Sequence, residues 1–81
     1  MASGDAREAK RRRTNNAGLL RTDGKEFAVL LRDASPTGAR VRLVVPCDVP
    51  TRVTLVSAME KINTVCKVVW RRGNDLGLKF E

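Results

Sequence analysis

Short runs of alternating hydrophobic and polar residues cover most of this chain. In the clearest run, Val41, Leu43 and Val45 would face a core. Arg40 and Arg42, which lie between them, would face outward. A period of two is the pattern of a β-strand with one buried face. The predicted strands are 17–21, 26–32, 39–45, 51–57, 62–71 and 76–80.

Turn-forming residues separate these runs. Asp23-Gly24 is a hairpin signal between the first two runs. In the longest run, Trp70 would share the inward face of Ile62 and Val68. Turns that recur about every eight to twelve residues, without a strong helical pattern, favour an all-β antiparallel barrel or sandwich. A closed barrel would also leave no exposed sheet edge.

Length and composition limit what such a fold can be. Eighty-one residues allow one small domain. Two cysteines are too few for a disulfide framework in a chain of this size, which favours a reducing compartment. No apolar run approaches the length of a membrane span, and the N-terminus lacks an apolar stretch for export. We therefore expect a cytoplasmic protein that does not insert into membranes.

The charge is strongly positive and is concentrated at the front of the chain. The net charge is +7, of which the first fourteen residues supply +3 and the rest +4. Residues 1–16 have too few apolar side chains to bury, so we predict a flexible basic arm there and a domain over 17–81. Such a charge balance favours an anionic partner.

Several kinds of chemistry lack their usual residues. The chain has no histidine, the common general base at neutral pH. Ser35 therefore has no histidine to activate it as a nucleophile, and the cysteine spacing fits no metal site. No glycine-rich phosphate loop occurs. We expect no enzyme activity, no metal and no cofactor.

One turn carries residues suited to binding a nucleotide. Asp33 and Ser35 open a tight turn that ends at Gly38. A carboxylate can accept hydrogen bonds from the donor edge of guanine, and arginine matches its acceptor edge with two donors. Arg7 and Arg11 in the arm could supply such donors and could neutralise phosphates.

The combination of these motifs resembles the PilZ domain family. It consists of Arg7-x-x-x-Arg11 in the arm, followed by Asp33-x-Ser35-x-x-Gly38. The end of the chain, residues 68–80, looks like the last two strands of that family, so the resemblance covers nearly the whole chain. Each motif alone is common, but their order, separation and strand context are fairly specific.

The resemblance implies a six-stranded barrel with little or no helix that binds cyclic di-GMP, a bacterial second messenger. Arg7 and Arg11 would then hold phosphates and guanine edges, and Asp33 and Ser35 would hydrogen-bond a guanine. Gly38 would give the turn room, both for a positive φ and for close approach of the ligand. Arg12 is a further candidate for the ligand, and Trp70 is either a core residue or a stacking surface for guanine. The domain would relay its occupancy to an unidentified downstream protein.

Two other functions stay open at this stage. Ala6 and Glu8 depart from the arm pattern of many relatives, so the chain could be an interaction module that binds no ligand. A small basic barrel could also bind single-stranded nucleic acid. That function needs exposed aromatic residues, whereas Phe27, Trp70 and Phe80 are predicted to point mostly inward. We therefore expect no nucleic-acid partner.

Overall fold

The structure is a computed structural model that describes residues 12–81. These residues form strands and turns and no helix. The strands, in chain order, are β1 (Arg12–Arg13), β2 (Ala17–Thr22), β3 (Lys25–Ser35), β4 (Gly38–Leu43), β5 (Arg52–Ser57), β6 (Ile62–Arg72) and β7 (Asp75–Phe80).

Six of the strands close into an antiparallel barrel. Around the barrel the order is β3, β2, β5, β6, β7 and β4, and β4 pairs again with β3. The short β1 adds to β3 at the end that carries Asp33. Closure pairs every long strand on both sides, which removes the free edges that a small open sheet would expose. The predicted six-stranded antiparallel barrel is therefore confirmed.

The predicted alternation accounts for most of the core. Val41 and Leu43 on β4, and Val53 and Leu55 on β5, are buried as expected. Asp23 and Gly24 form the β2–β3 turn with φ values of 45° and 78°. Positive φ at both central residues is the geometry that matches the twist of the flanking strands. The core consists of Leu20, Val29, Leu31, Ala34, Ala39, Val41, Leu43, Val53, Leu55, Cys66, Leu76 and Leu78.

The end of β4 differs from the prediction. The strand stops at Leu43, and the exposed Val44 and Val45 begin an irregular segment. Val45 was expected to face the core and does not. The reason is that Pro46 follows at once, and a proline lacks the N–H needed to extend the ladder.

The two cysteines lie in different environments and are both free thiols. Cys66 is fully buried on β6, and burial raises the pKa of its thiol. This agrees with its expected role as a small hydrophobic core residue. Cys47 is half-buried in the segment after β4, where its carbonyl oxygen accepts a hydrogen bond from Arg71 Nη1 at 2.7 Å.

Residues 12–81 contain no helix of the length and apolarity that crossing a membrane requires.

Truncating Leu55 to alanine should destabilise the barrel strongly. Its side chain is fully buried, and removing a buried leucine leaves a cavity that typically costs about 2–5 kcal/mol. Urea unfolding should show a lower midpoint with a similar slope. Met59→Ala is the control, because Met59 is 73% exposed and its truncation should change the midpoint little. Equal effects of the two variants would contradict the assigned core.

Candidate ligand-binding face

The predicted turn is a tight connection between β3 and β4. Ser35 is the last residue of β3, Gly38 is the first of β4, and only Pro36 and Thr37 lie between them. Ser35 Oγ accepts a hydrogen bond from Thr37 N at 3.3 Å and donates one to the Gly38 carbonyl oxygen at 3.4 Å. The hydroxyl thus closes the turn in the way serine commonly does.

The positive φ expected for Gly38 is not present, and the structure shows a packing reason for a glycine at this position. The glycines with positive φ among residues 12–81 are Gly24 and Gly73, so Gly38 does not need the left-handed region. A Cβ atom at Gly38 would instead overlap the carbonyl oxygen of Leu78 on β7. Phe80 N donates to the carbonyl oxygen of Thr37 at 2.9 Å. The glycine therefore lets β7 pack closely against the turn.

A bulge in β3 sets the direction of Asp33. Leu31 pairs with Val41, but Asp33 pairs with Arg40, so Arg32 is an extra residue on the β3 side. Strict alternation would turn Asp33 inward with Leu31. An extra residue reverses the alternation and directs Asp33 outward, opposite Arg40.

Arg40 holds the Asp33 carboxylate. Its Nε donates to Asp33 Oδ2 at 3.1 Å. Only 7% of Asp33 is exposed, whereas the Arg40 side chain is 44% exposed. Arg40 faces outward as predicted, but its role as the partner of Asp33 was not anticipated. The sequence offers one hint, since both residues flank a short hairpin turn and would lie near each other across it.

A second bulge changes the expected position of Trp70. Val68 pairs with Leu78, but Trp70 pairs with Gly77, so Val69 is the extra residue on β6. The prediction that Trp70 shares the inward face of Val68 is therefore wrong. The indole lies outside the barrel over Gly77, where a Cβ atom would overlap its Nε1 and two ring carbons. Trp70 remains 44% exposed.

These residues form one line across the outer surface. Successive register partners on β1, β3, β4, β7 and β6 run from Arg13 at one end to Trp70 at the other. Directly opposite residues share a face of the sheet, so the whole line faces outward. We call it the cross-strand row, and its members are Arg13, Asp33, Arg40, Gly77 and Trp70.

Two depressions lie along the cross-strand row. One, of about 310 Å³, is lined by Asp33, Ala39, Arg40, Trp70 and Gly77. The other, of about 300 Å³, is lined by Arg13, Thr14, Asn15, Arg32 and Arg40. Arg40 contributes to both and therefore lies between them. The row thus offers an indole surface, a carboxylate and several guanidinium groups within two adjoining depressions.

The end of the predicted arm reaches this row. Arg12 and Arg13 pair with Ala34 and Asp33. Thr14 N then donates to the carbonyl oxygen of Arg32 at 3.1 Å. Arg7 and Arg11 lie outside the described residues, as do the side-chain atoms of Arg12. Where the described part of the arm ends, it lies directly beside the strand that carries Asp33 and Ser35.

A polar cluster fixes the segment that joins the arm to β2. Thr14 Oγ1 donates to Glu60 Oε2 at 2.7 Å, and Asn16 Nδ2 donates to the same carboxylate oxygen. Asn16 Nδ2 also donates to Thr14 Oγ1 at 2.9 Å. Glu60 belongs to the β5–β6 loop, so the contact joins parts of the chain that are distant in sequence. Sequence reasoning missed it, because nothing local marks Glu60 as a partner.

Residues 12–81 hold no group of three or more Cys, Asp or Glu side chains that could bind a metal ion together.

Comparison with protein families identifies the chain. The sequence-family model of the PilZ domain matches residues 5–81, which is nearly the whole chain. The chain therefore belongs to the PilZ domain family, whose members are generally cyclic di-GMP receptors with regulatory rather than catalytic roles. No curated protein and no solved structure gave a significant match.

Replacing Gly77 with alanine should displace the indole of Trp70. The new Cβ would overlap three ring atoms, so the Trp70 indole would have to move away from residue 77 of β7. Because Trp70 is the only tryptophan, fluorescence reports it alone. We expect red-shifted emission and stronger quenching by acrylamide, with the cooperative unfolding transition retained. Unchanged emission would mean that the ring does not rest on Gly77.

Proposed function

We propose that this chain binds cyclic di-GMP on the cross-strand row and relays its occupancy to a partner protein. The arm would supply Arg7, Arg11 and Arg12, and the barrel would supply Asp33, Ser35, Gly38 and Trp70. The observation that carries the proposal is the pairing of Arg12 and Arg13 with β3 at Ala34 and Asp33. Through this pairing, the C-terminal end of the arm lies beside β3, the strand that ends in the turn. The arm and the turn can therefore contact one ligand.

The chemistry of Asp33 suits a guanine. Arg40 Nε holds one oxygen of the Asp33 carboxylate at 3.1 Å, and carboxylate oxygens accept hydrogen bonds. Guanine offers an N–H pair on one edge, which complements such an acceptor. A carboxylate has two oxygens and about four lone-pair positions, so contacts with Arg40 and with a base are compatible. Arg40 would then be a positioning residue for Asp33.

Trp70 supplies a flat surface for the same ligand. The indole lies over Gly77, is 44% exposed and lines the depression that also contains Asp33. Stacking of a base on an aromatic side chain typically contributes about 1–3 kcal/mol. In this proposal Trp70 acts as the stacking surface, and the core role considered for it from the sequence is set aside.

The arm would add charge and specificity. Arg11 directly precedes Arg12 in the sequence, and Arg12 is the register partner of Ala34. A guanidinium group gives a base edge or a phosphate two parallel donors, which an ammonium group cannot do. Each charge-assisted hydrogen bond contributes roughly 1.5–3 kcal/mol, while ordering one residue costs about 1–2 kcal/mol. Two arginines that each make several bonds can therefore offset the ordering of a short segment.

One observation bears on the nucleic-acid alternative. Trp70 faces outward, contrary to expectation, whereas Phe27 and Phe80 are partly buried against the core. One exposed aromatic provides a single stacking position. Single-strand binders use several such positions along a groove. The cross-strand row therefore suits a compact nucleotide better than an extended strand.

Titration of isotope-labelled protein with cyclic di-GMP, cyclic di-AMP and GTP tests the proposal. We expect NMR shifts at 7–13, at 33–38 and at the Trp70 indole with cyclic di-GMP only. The affinity for cyclic di-GMP should fall only moderately as the salt concentration rises. Binding of a nucleic acid would instead weaken steeply with salt. Unchanged spectra at millimolar cyclic di-GMP would favour the interaction module without ligand. Equal responses to all three nucleotides would indicate mere charge attraction.

Variants assign the binding to the two motifs. Arg11→Ala should weaken binding at least about tenfold, because it removes charge-assisted hydrogen bonds. Asp33→Asn should do the same while nearly keeping the side-chain shape. Lys25→Ala removes an equal charge about 30 Å along β3 from Ser35 and is the control for Arg11→Ala. The measurement is the calorimetric affinity of each variant for cyclic di-GMP. A similar loss of affinity in all three variants would contradict the assigned site.

A further inference from the structure

Two lysines face each other next to the proposed site. Lys67 on β6 and Lys79 on β7 are direct register partners, and both are exposed. Like charges directly opposite each other on neighbouring strands are destabilising. Within residues 12–81, neither ammonium group has an ion-pair partner, whereas Arg40, Arg42 and Arg52 each have one. An anion bound at this pair would relieve the repulsion.

The position of Lys79 is fixed by the turn. It pairs with Lys67 on one side and with Gly38 on the other, and Gly38 has no side chain to fill the space between Lys79 and Ser35. The hydrogen bond from Phe80 N to the Thr37 carbonyl oxygen holds this end of β7 against the turn. Lys79 is therefore attached to rigid backbone about 5 Å from Gly38.

Lys79 also lies close to the stacking surface. On β7, Lys79 is two residues from Gly77, and the two residues are about 7 Å apart along the strand. The indole of Trp70 lies over Gly77. A lysine side chain carries its charge on a flexible four-carbon stem, which can cover that separation. The same ammonium group can thus reach the space above Ser35 and the space beside Trp70.

We infer that Lys79, reinforced by Lys67, binds a phosphodiester group of the ligand on the side away from the arm. The inference rests on the proposed function. A cyclic dinucleotide has two phosphodiester charges, and the arm approaches the site at β1, at the opposite end of the cross-strand row from Trp70. Cations on both sides of the ligand match two phosphates better than a single cluster. A compact ammonium group suits a non-bridging phosphate oxygen as a point charge.

The test compares calorimetric affinities for cyclic di-GMP among lysine variants. Lys79→Gln should weaken binding about threefold to tenfold, as expected for a partly exposed charged contact. Lys67→Gln should have a smaller effect, and the double variant should reduce the salt dependence of binding. Lys25→Gln, which removes the same charge far from the site, should stay within about twofold of wild type.

Thermal unfolding separates a contact with the ligand from damage to the fold. Removing one of two opposed charges should leave the melting temperature of the free protein unchanged or raise it. A lower melting temperature together with weaker binding would mean that Lys79 acts structurally, which overturns the inference.

The remaining outcomes are also decisive. Wild-type affinity in Lys79→Gln would overturn this inference alone and leave the proposed function intact. Failure of the wild-type protein to bind cyclic di-GMP would overturn both.

Discussion

Two β-bulges determine what this barrel presents on its outer surface. Without the extra residue Arg32, strict alternation would turn the Asp33 carboxylate toward Leu31 and Val41, where an unpaired charge is very costly. Without the extra residue Val69, the indole of Trp70 would point into a barrel already filled by leucine and valine side chains. The two bulges act on different strands, yet both redirect a side chain onto the same cross-strand row. The candidate site therefore depends on backbone register before it depends on any side-chain contact.

Small residues make this register possible. Ala34 and Ala39 pair inside the barrel next to the Asp33–Arg40 pair, and both are buried. Gly38 allows β7 to approach the turn, and Gly77 provides the surface on which Trp70 rests. The two glycines have no side chain at the points where a strand backbone, in one case, and an indole, in the other, come close. The positions of Asp33 and Trp70 are thus held by packed strands, which reduces the reorganisation that a ligand would have to induce.

Most of the fold could be predicted from the sequence because its signals are local. The alternation of Val41 and Leu43 with arginines and the Asp23-Gly24 turn each depend on neighbouring residues. The bulges could not be predicted, since one extra residue reverses the alternation and neither Arg32 nor Val69 is a glycine or proline that would mark it. The inward assignment of Trp70 failed for this reason. The contacts of Glu60 with Thr14 and Asn16 join distant segments and have no local pattern at all, and the positions of Arg7 and Arg11 lie outside the described residues.

Among residues 12–81, the basic side chains divide into arginines that form ion pairs and cations that form none. Glu26, Asp33, Asp75 and Glu81 each pair with an arginine, so these acids hold guanidinium groups in place. The pairs of Glu26, Asp75 and Glu81 lie at the surface and contribute little to stability, whereas the Asp33 carboxylate of the fourth pair is buried. Within residues 12–81, no ion pair involves Arg13, Lys67 or Lys79, which lie on or beside the cross-strand row. Of the paired arginines, Arg40 lies on the cross-strand row, and the cations without an ion pair add to the positive field at the same face.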